Sequence, residues 1–252
     1  QKLYRTPSAR KGILRKKGGL PVNFILVSSA LEKKMAKKLS DFGTVVPLPP
    51  LPALPSPIAS HADTLIASVG DEFFVYANYP ESDKLFAALD FPCTVIKQNA
   101  GNKYPLDAAL NCFTVGDRLV CREKSVAPEI LDFAKKRGYK TINVKQGYAH
   151  CSCAVIGDGI LTSDRGIFRV AEKEGIDSAF VSSTGIVLPG YKEGFIGGAC
   201  GCIGRTVIFF GDVRLLPDGE KAEDFIKSKG YDPYYLSDKP PVDFGGLVTA
   251  EV

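Results

Sequence analysis

The chain has 252 residues, 45% of them hydrophobic, with 25 glycines and 17 prolines; this profile excludes a disordered chain and supplies enough apolar material for a substantial core. No apolar run approaches the roughly 20 residues of a membrane helix, and no basic start, apolar centre and small-residue cleavage site marks a secretory leader, so a cytoplasmic protein without membrane contact is expected. The formal charge of +4 is concentrated at one end: Lys2, Arg5, Arg10, Lys11, Arg15, Lys16 and Lys17 carry seven positive charges, with no acid, in the first 17 residues. Residues 1–21 therefore read as a solvated basic arm and 22–252 as a single, mildly acidic domain, for which a nucleic-acid partner is not expected.

The seven cysteines are odd in number and mostly sit in apolar runs, which points to reduced thiols rather than a disulfide framework. Cys151-x-Cys153 and Cys200-x-Cys202 are spaced too tightly for a structural zinc pair, and alternate residues of a strand face opposite sides. No metal and no organic cofactor is expected.

In chain order, Asn23 to Ser29 reads as a buried strand and Ala30 to Phe42 as a helix stopped by Gly43. Thr44 to Val46 is a short strand, and Pro47 to Pro57 a proline-rich connector that is neither helix nor central strand. Asp63 to Val69 is a strand closed by the turn Gly70-Asp71, then come a strand over Glu72 to Ala77 and a helix over Glu81 to Leu89. The pattern recurs: a strand from Leu110 to Val115, the turn Gly116-Asp117, a strand to Arg122, a helix over Ala127 to Arg137, and a strand over Thr141 to Val144. A third copy runs through Cys153 to Ile156, Gly157-Asp158, Gly159 to Thr162, a helix near Gly166 to Lys173, and Ala179 to Ser182. A fourth runs from Gly198 through Gly204 and Thr206 to Phe210 to a helix over Glu220 to Ser228 and Tyr234 to Leu236. The turn glycines 70, 116, 157 and 204 are 46, 41 and 47 residues apart, a period characteristic of repeat architectures.

The two ends are complementary. Gly245 to Val252 is a first strand without the strand, helix and strand that should follow it, and the N-terminus begins with those three elements. Joined, they make a fifth ββαβ unit, giving an α/β chain of five repeats: about 59–102, 103–146, 147–189, 190–239, and 240–252 joined to 22–58.

Gly147 to Asp158 is the stretch around which these repeats are arranged, because it sets His150, one of two histidines, at the mouth of a strand. Such a five-fold pseudosymmetric β/α propeller resembles the pentein superfamily of guanidino-group-modifying enzymes, which includes arginine and agmatine deiminases, amidinotransferases and dimethylarginine dimethylaminohydrolase. His150 is similar to the family's catalytic histidine. Leu106 to Thr114 resembles the segment whose acid, here Asp107, orients that histidine, and Ala62-Asp63-Thr64 resembles the motif whose aspartate grips the guanidinium. The resemblance implies that a cysteine thiolate attacks the guanidinium carbon, that His150 protonates the departing amine and then activates water, and that Asp63 makes charge-assisted hydrogen bonds to the ligand.

One position departs from the pattern: Val242-Asp243 and Gly246 to Val252 are similar to the nucleophile segment, with Ala250 where the cysteine belongs. Cys200, in Gly197 to Cys202, resembles the nucleophile segment of agmatine deiminases and is the substitute candidate. It equally fits a recurring small buried position, since Cys112, Cys153 and Cys200 each lie four residues before a turn glycine. Tyr104 and Tyr148, with Tyr191, precede successive first strands and are candidates for lining a central cavity, whereas His61 reads as a solvated residue. Two functions follow: an active or lapsed enzyme binding a small cationic or guanidino-like ligand, or a non-catalytic scaffold with a protein partner, as in the ribosomal anti-association factor of the same fold.

Overall fold

The computed structural model describes residues 23–80 and 82–251; the basic arm expected over 1–21 lies outside them. The chain opens with β1 (Asn23–Ser28), α1 (Lys33–Leu39) and β2 (Thr44–Leu48), then a helical turn α2 (Ala62–Leu65) leads into β3 (Ile66–Val69), β4 (Glu72–Val75), α3 (Ser82–Ala88) and β5 (Cys93–Val95). The third group is β6 (Phe113–Val115), β7 (Arg118–Cys121), α4 (Pro128–Lys136) and β8 (Lys140–Asn143). The fourth is β9 (Cys153–Ile156), β10 (Gly159–Thr162), α5 (Arg165–Lys173) and β11 (Asp177–Phe180). The fifth is β12 (Cys200–Ile203), β13 (Thr206–Phe209), α6 (Gly219–Ser228) and β14 (Asp232–Tyr235), after which β15 (Leu247–Glu251) ends the described chain.

These strands form five three-stranded sheets, among the described residues, with one topology. In β3-β4-β5, β6-β7-β8, β9-β10-β11 and β12-β13-β14 the first two strands are antiparallel and the second and third are parallel. A hairpin makes the antiparallel pair, and the helix supplies the crossover that a parallel pair requires. Each hairpin turns on a glycine in the left-handed region, with φ of 61°, 57°, 61° and 56° at Gly70, Gly116, Gly157 and Gly204, the conformation that two-residue hairpin loops need.

The fifth sheet, β15-β1-β2, draws on both ends of the sequence. β15 runs antiparallel to β1, with Phe24 opposite Ala250 and Leu26 opposite Val248, and β1 runs parallel to β2. This is the pairing expected from the complementary ends. First strands neighbour one another in order: β3 with β6, β6 with β9, β9 with β12, and β12 with β15, while α2 contacts β15.

The apolar residues meet between adjacent sheets. Phe113, Val120 and Ile142 pack with Cys153, Ile160 and Ile167, and Ile25 and Val27 pack with Ile203, Ile208 and Phe210. The helices cover the sheets through i, i+4 pairs such as Ile167 and Ala171 of α5 and Ile130 and Ala134 of α4. Asp164 caps α5 by accepting from the Ile167 N–H at 2.8 Å, and Gly175, at φ 67°, follows its last turn.

Three expectations need correction. Asp63 lies on the helical turn α2 rather than in a strand, and β6 begins only at Phe113, leaving Leu110 to Cys112 in irregular backbone. Pro47 is part of β2, opposite Val27; β2 is an edge strand, where the missing N–H costs no ladder hydrogen bond.

Candidate functional site

The segments that precede the first strands converge on a buried polar cluster whose centre is Asn111. Asn111 is 1% exposed. Its Oδ1 accepts from the backbone N–H groups of His150 (2.7 Å) and Cys151 (3.2 Å). Its Nδ2 donates to Cys151 Sγ (2.9 Å) and to the Asp63 carbonyl oxygen (3.4 Å). One amide therefore ties together three segments that are far apart in sequence, which explains why the backbone around it departs from strand geometry: the side chain takes bonds that a ladder would otherwise supply.

Asp63 is 1% exposed. Its Oδ1 accepts from the Thr64 hydroxyl at 3.2 Å, its backbone N–H donates to the Gly245 carbonyl oxygen at 2.9 Å, and its charge helps to push the Cys151 thiol up. His61 is buried, contrary to its reading as a solvated residue. Its Nδ1 lies 3.6 Å from Asp243 Oδ1; Asp243 also accepts from the N–H groups of Phe195 (2.8 Å) and Gly245 (3.0 Å). The two histidines of the chain thus both sit near Asp63, at the mouths of different repeats.

Burial dominates the protonation of this cluster. It pushes both imidazoles below their ordinary value, against the opposing pull of Asp63. Burial and then the neighbouring Asp63 charge raise the Asp243 carboxyl to about 7. Burial, with Asp63 and Asp243, pushes the Cys151 thiol well up. These are the directions expected when charged forms lose solvent without gaining a cation.

Asp107 stands beside this cluster. It is buried, and its Oδ2 accepts from the Tyr148 hydroxyl at 2.8 Å. The Tyr148 ring lies 6.0 Å from Tyr104 and 6.4 Å from Phe195, centroid to centroid, and Tyr104 remains 42% exposed. The hydrogen bond that Asp107 makes is to Tyr148 and not to His150. Among the described residues, Asp63 Oδ2, Asp107 Oδ1 and His150 Nδ1 are buried polar atoms without a hydrogen-bond partner.

Cys200 is placed differently. It is buried in the apolar cluster of Ile196, Ala199 and Phe209, its thiol donates to the Ile196 carbonyl oxygen at 3.3 Å, and burial pushes its pKa well up. It does border a cavity of about 160 Å³ that His150, Gly197, Cys202 and Gly246 also line, which has room for a small head group and not for a drug-sized molecule. Gly197 is obligatory there: a Cβ would stand 2.3 Å from the carbonyl oxygens of His150 and Cys153.

The reading of the sequence passed over Asn111, Cys151 and Asp243 as site residues. All three lay within segments that were singled out, but an amide and a buried thiol give no signal in one sequence until the fold shows what they touch.

Solved structures give the fold a context. The chain is similar to a dimethylarginine dimethylaminohydrolase held as an adduct with S-methyl-L-thiocitrulline (TM-score 0.55, 10% identity, 91% of this chain and 99% of that one). It is also similar to that enzyme from Pseudomonas aeruginosa in complex with citrulline (TM-score 0.56, 9% identity, 91% and 98%). A third likeness is to the N-terminal domain of ArgZ, an arginine dihydrolase of cyanobacteria, bound to product (TM-score 0.56, 10% identity, 92% and 97%). The fold is that of the pentein, or guanidino-group-modifying, superfamily. Among curated proteins none matches the sequence. Residues 26–248 match a single family model, and the chain belongs to that family, described as a family of unknown function (DUF6873).

Proposed function

We propose that the five sheets close into a propeller, as one domain over residues 22–252, and that the chain binds a small cationic, guanidino-like ligand at its hub. Asp63 and Asp107 supply the acceptors, His150 a neutral imidazole, and Tyr148 and Tyr104 the aromatic wall. The observation that carries this reading is the set of orphaned atoms: Asp63 Oδ2, Asp107 Oδ1 and His150 Nδ1 are buried and unpartnered. Burying an acceptor without a donor costs about 1–3 kcal/mol, so three such atoms near one hub favour a ligand that brings N–H donors. A guanidinium brings them in a planar array suited to carboxylates.

Ala250 weighs against conventional turnover. It is fully buried opposite Phe24 and has no nucleophilic atom, and Cys200 is committed to core packing and to the Ile196 carbonyl. These features support a binding protein, or a lapsed or atypical hydrolase or amidinotransferase, over a standard deiminase.

The test is thermal unfolding with methylguanidine, arginine and agmatine, against methylurea as a neutral isostere of the head group. The cations should raise the melting temperature; saturation at 100 times Kd corresponds to about 2.7 kcal/mol. Asp63→Asn and Asp107→Asn should abolish the rise, and methylurea should give none. No response of the wild type to any cation would defeat the ligand reading and leave the scaffold alternative.

A further inference from the structure

The large apolar side chains that stay exposed are not scattered along the chain. Among the described residues there are six, and four of them are Tyr104, Leu106, Val187 and Tyr191. These four lie on the two loops that carry Asp107 and Phe195, between β5 and β6 and between β11 and β12. Both loops lead into first strands, so they stand at the hub. Single exposed apolar residues need no explanation, whereas a group of them on the loops of a candidate site points to something that covers them.

We propose that this rim holds an uncharged aromatic group carried by the cationic ligand, so that the preferred ligands are arylalkyl guanidines rather than amino acids. The proposal rests on the cationic-ligand reading and adds the chemistry of the ligand's other end.

Three rings form a continuous wall. Tyr104 and Tyr148 stand 6.0 Å apart, centroid to centroid, and Tyr148 and Phe195 stand 6.4 Å apart with 29° between their planes; a ligand ring packs against such faces at similar separations. Each ring is fixed in advance. The Tyr148 hydroxyl donates to Asp107 Oδ2 at 2.8 Å, and the Phe195 backbone N–H donates to Asp243 Oδ2 at 2.8 Å. Tyr104 lies on Gly147, where a Cβ would come within 2.3 Å of the ring. The Arg122 guanidinium stands over Tyr104, 5.4 Å from its centroid, and donates from Nη1 to the Lys145 carbonyl oxygen at 2.9 Å. Side chains held in place before binding lose little freedom when a ligand arrives.

Asp107 joins this wall to the cation. Its Oδ2 holds the Tyr148 hydroxyl, and its buried Oδ1 has no partner. A guanidinium donating to Oδ1 therefore sits on the same carboxylate that anchors the Tyr148 ring, and a short alkyl linker carries its substituent onto the ring faces. An arene there covers apolar surface and gains ring contacts. The ammonium and carboxylate of an amino acid would instead lose hydration against those faces, and the Arg122 guanidinium is already engaged by a ring and a carbonyl.

Calorimetric titration of the full chain tests this with methylguanidine, arginine and 2-phenylethylguanidine, and with 2-phenylethylurea as the neutral counterpart of the last. The expected Kd for 2-phenylethylguanidine is at least about tenfold below those of methylguanidine and arginine, and the urea should not compete with it. Tyr104→Ala should bring the ratio of the phenylethylguanidine and methylguanidine affinities close to one. Tyr104→Phe keeps the ring and should keep the ratio.

A smaller gain in the wild type, or arginine binding as tightly as the arene, would overturn the proposal. So would a ratio unchanged in Tyr104→Ala, or a urea that binds as well as the guanidine, since the rim would then act without Asp107. The wild-type comparison stands whether or not a variant folds. Methylguanidine binding with no gain from the arene would remove the aromatic rim and keep the cation site. No binding of any guanidine would remove both.

Discussion

Asp243 illustrates how single residues in this hub set the behaviour of the protein. Its folded pKa of about 7 stands above the unfolded value of about 3.9, so between these values the folded state holds the proton more tightly than the unfolded chain. Stability from this group is therefore complete below about pH 4 and is lost as pH rises to about 7, on the order of a few kcal/mol as an upper bound. His61 and His150, held below their ordinary value, act oppositely and cost stability as pH falls below about 6.5. Comparison of wild type with Asp243→Asn isolates the first effect: the wild type's advantage in urea denaturation should shrink as pH rises from 5 to 8. An advantage that is constant or grows would contradict the Asp243 assignment. Asp63, Asp107 and His150 stand out in the sequence as short acid and imidazole motifs, but their partners do not: Asp63 sits on a helical turn and Asp107 pairs with Tyr148. His61 was misread because proline and serine neighbours suggest solvent, whereas Gly245 packs its backbone against the imidazole and leaves no room for a Cβ.

Strands and helices were legible where local chemistry decides them. The four Gly turns, helix α5 and the first strand from Cys153 follow from periodicity and turn residues. The short edge strand β5 (Cys93–Val95) was missed, since three residues offer no period to detect, and α2 was taken for strand because its apolar content is the same in either form. Glycine in the segment before β12 answers to a constraint that lies outside its own repeat. Gly197 donates its N–H to the Cys151 carbonyl oxygen at 2.9 Å, and its missing side chain admits the carbonyl oxygens of His150 and Cys153. Because those neighbours are backbone, they cannot rotate away. Gly197→Ala should cost about 3 kcal/mol in chemical denaturation and also disturb the His150 turn; a loss below about 1 kcal/mol would mean that the two segments separate more easily than their packing implies.

At the scale of the whole molecule, the fifth sheet was read from the two ends taken together, which no single window would reveal. Its strand β15 supplies five paired positions along β1, at about 1 kcal/mol for each net hydrogen bond, and buries Val248 and Ala250. Against a total stability of about 5–15 kcal/mol for a typical domain, that loss is decisive. A chain ended after Gly246 should show no cooperative thermal transition and should associate through the uncovered edge of β1 in gel filtration. A monomer with an unchanged melt would show that the sheet tolerates an open seam. The same seam orders events during synthesis. The ribosome makes β1 long before β15, and Asp243 and Gly245 emerge just ahead of that closing strand. Until then the nascent protein carries β1 with its antiparallel partner missing and His61 without the Asp243 carboxylate that lies 3.6 Å from it in the folded chain.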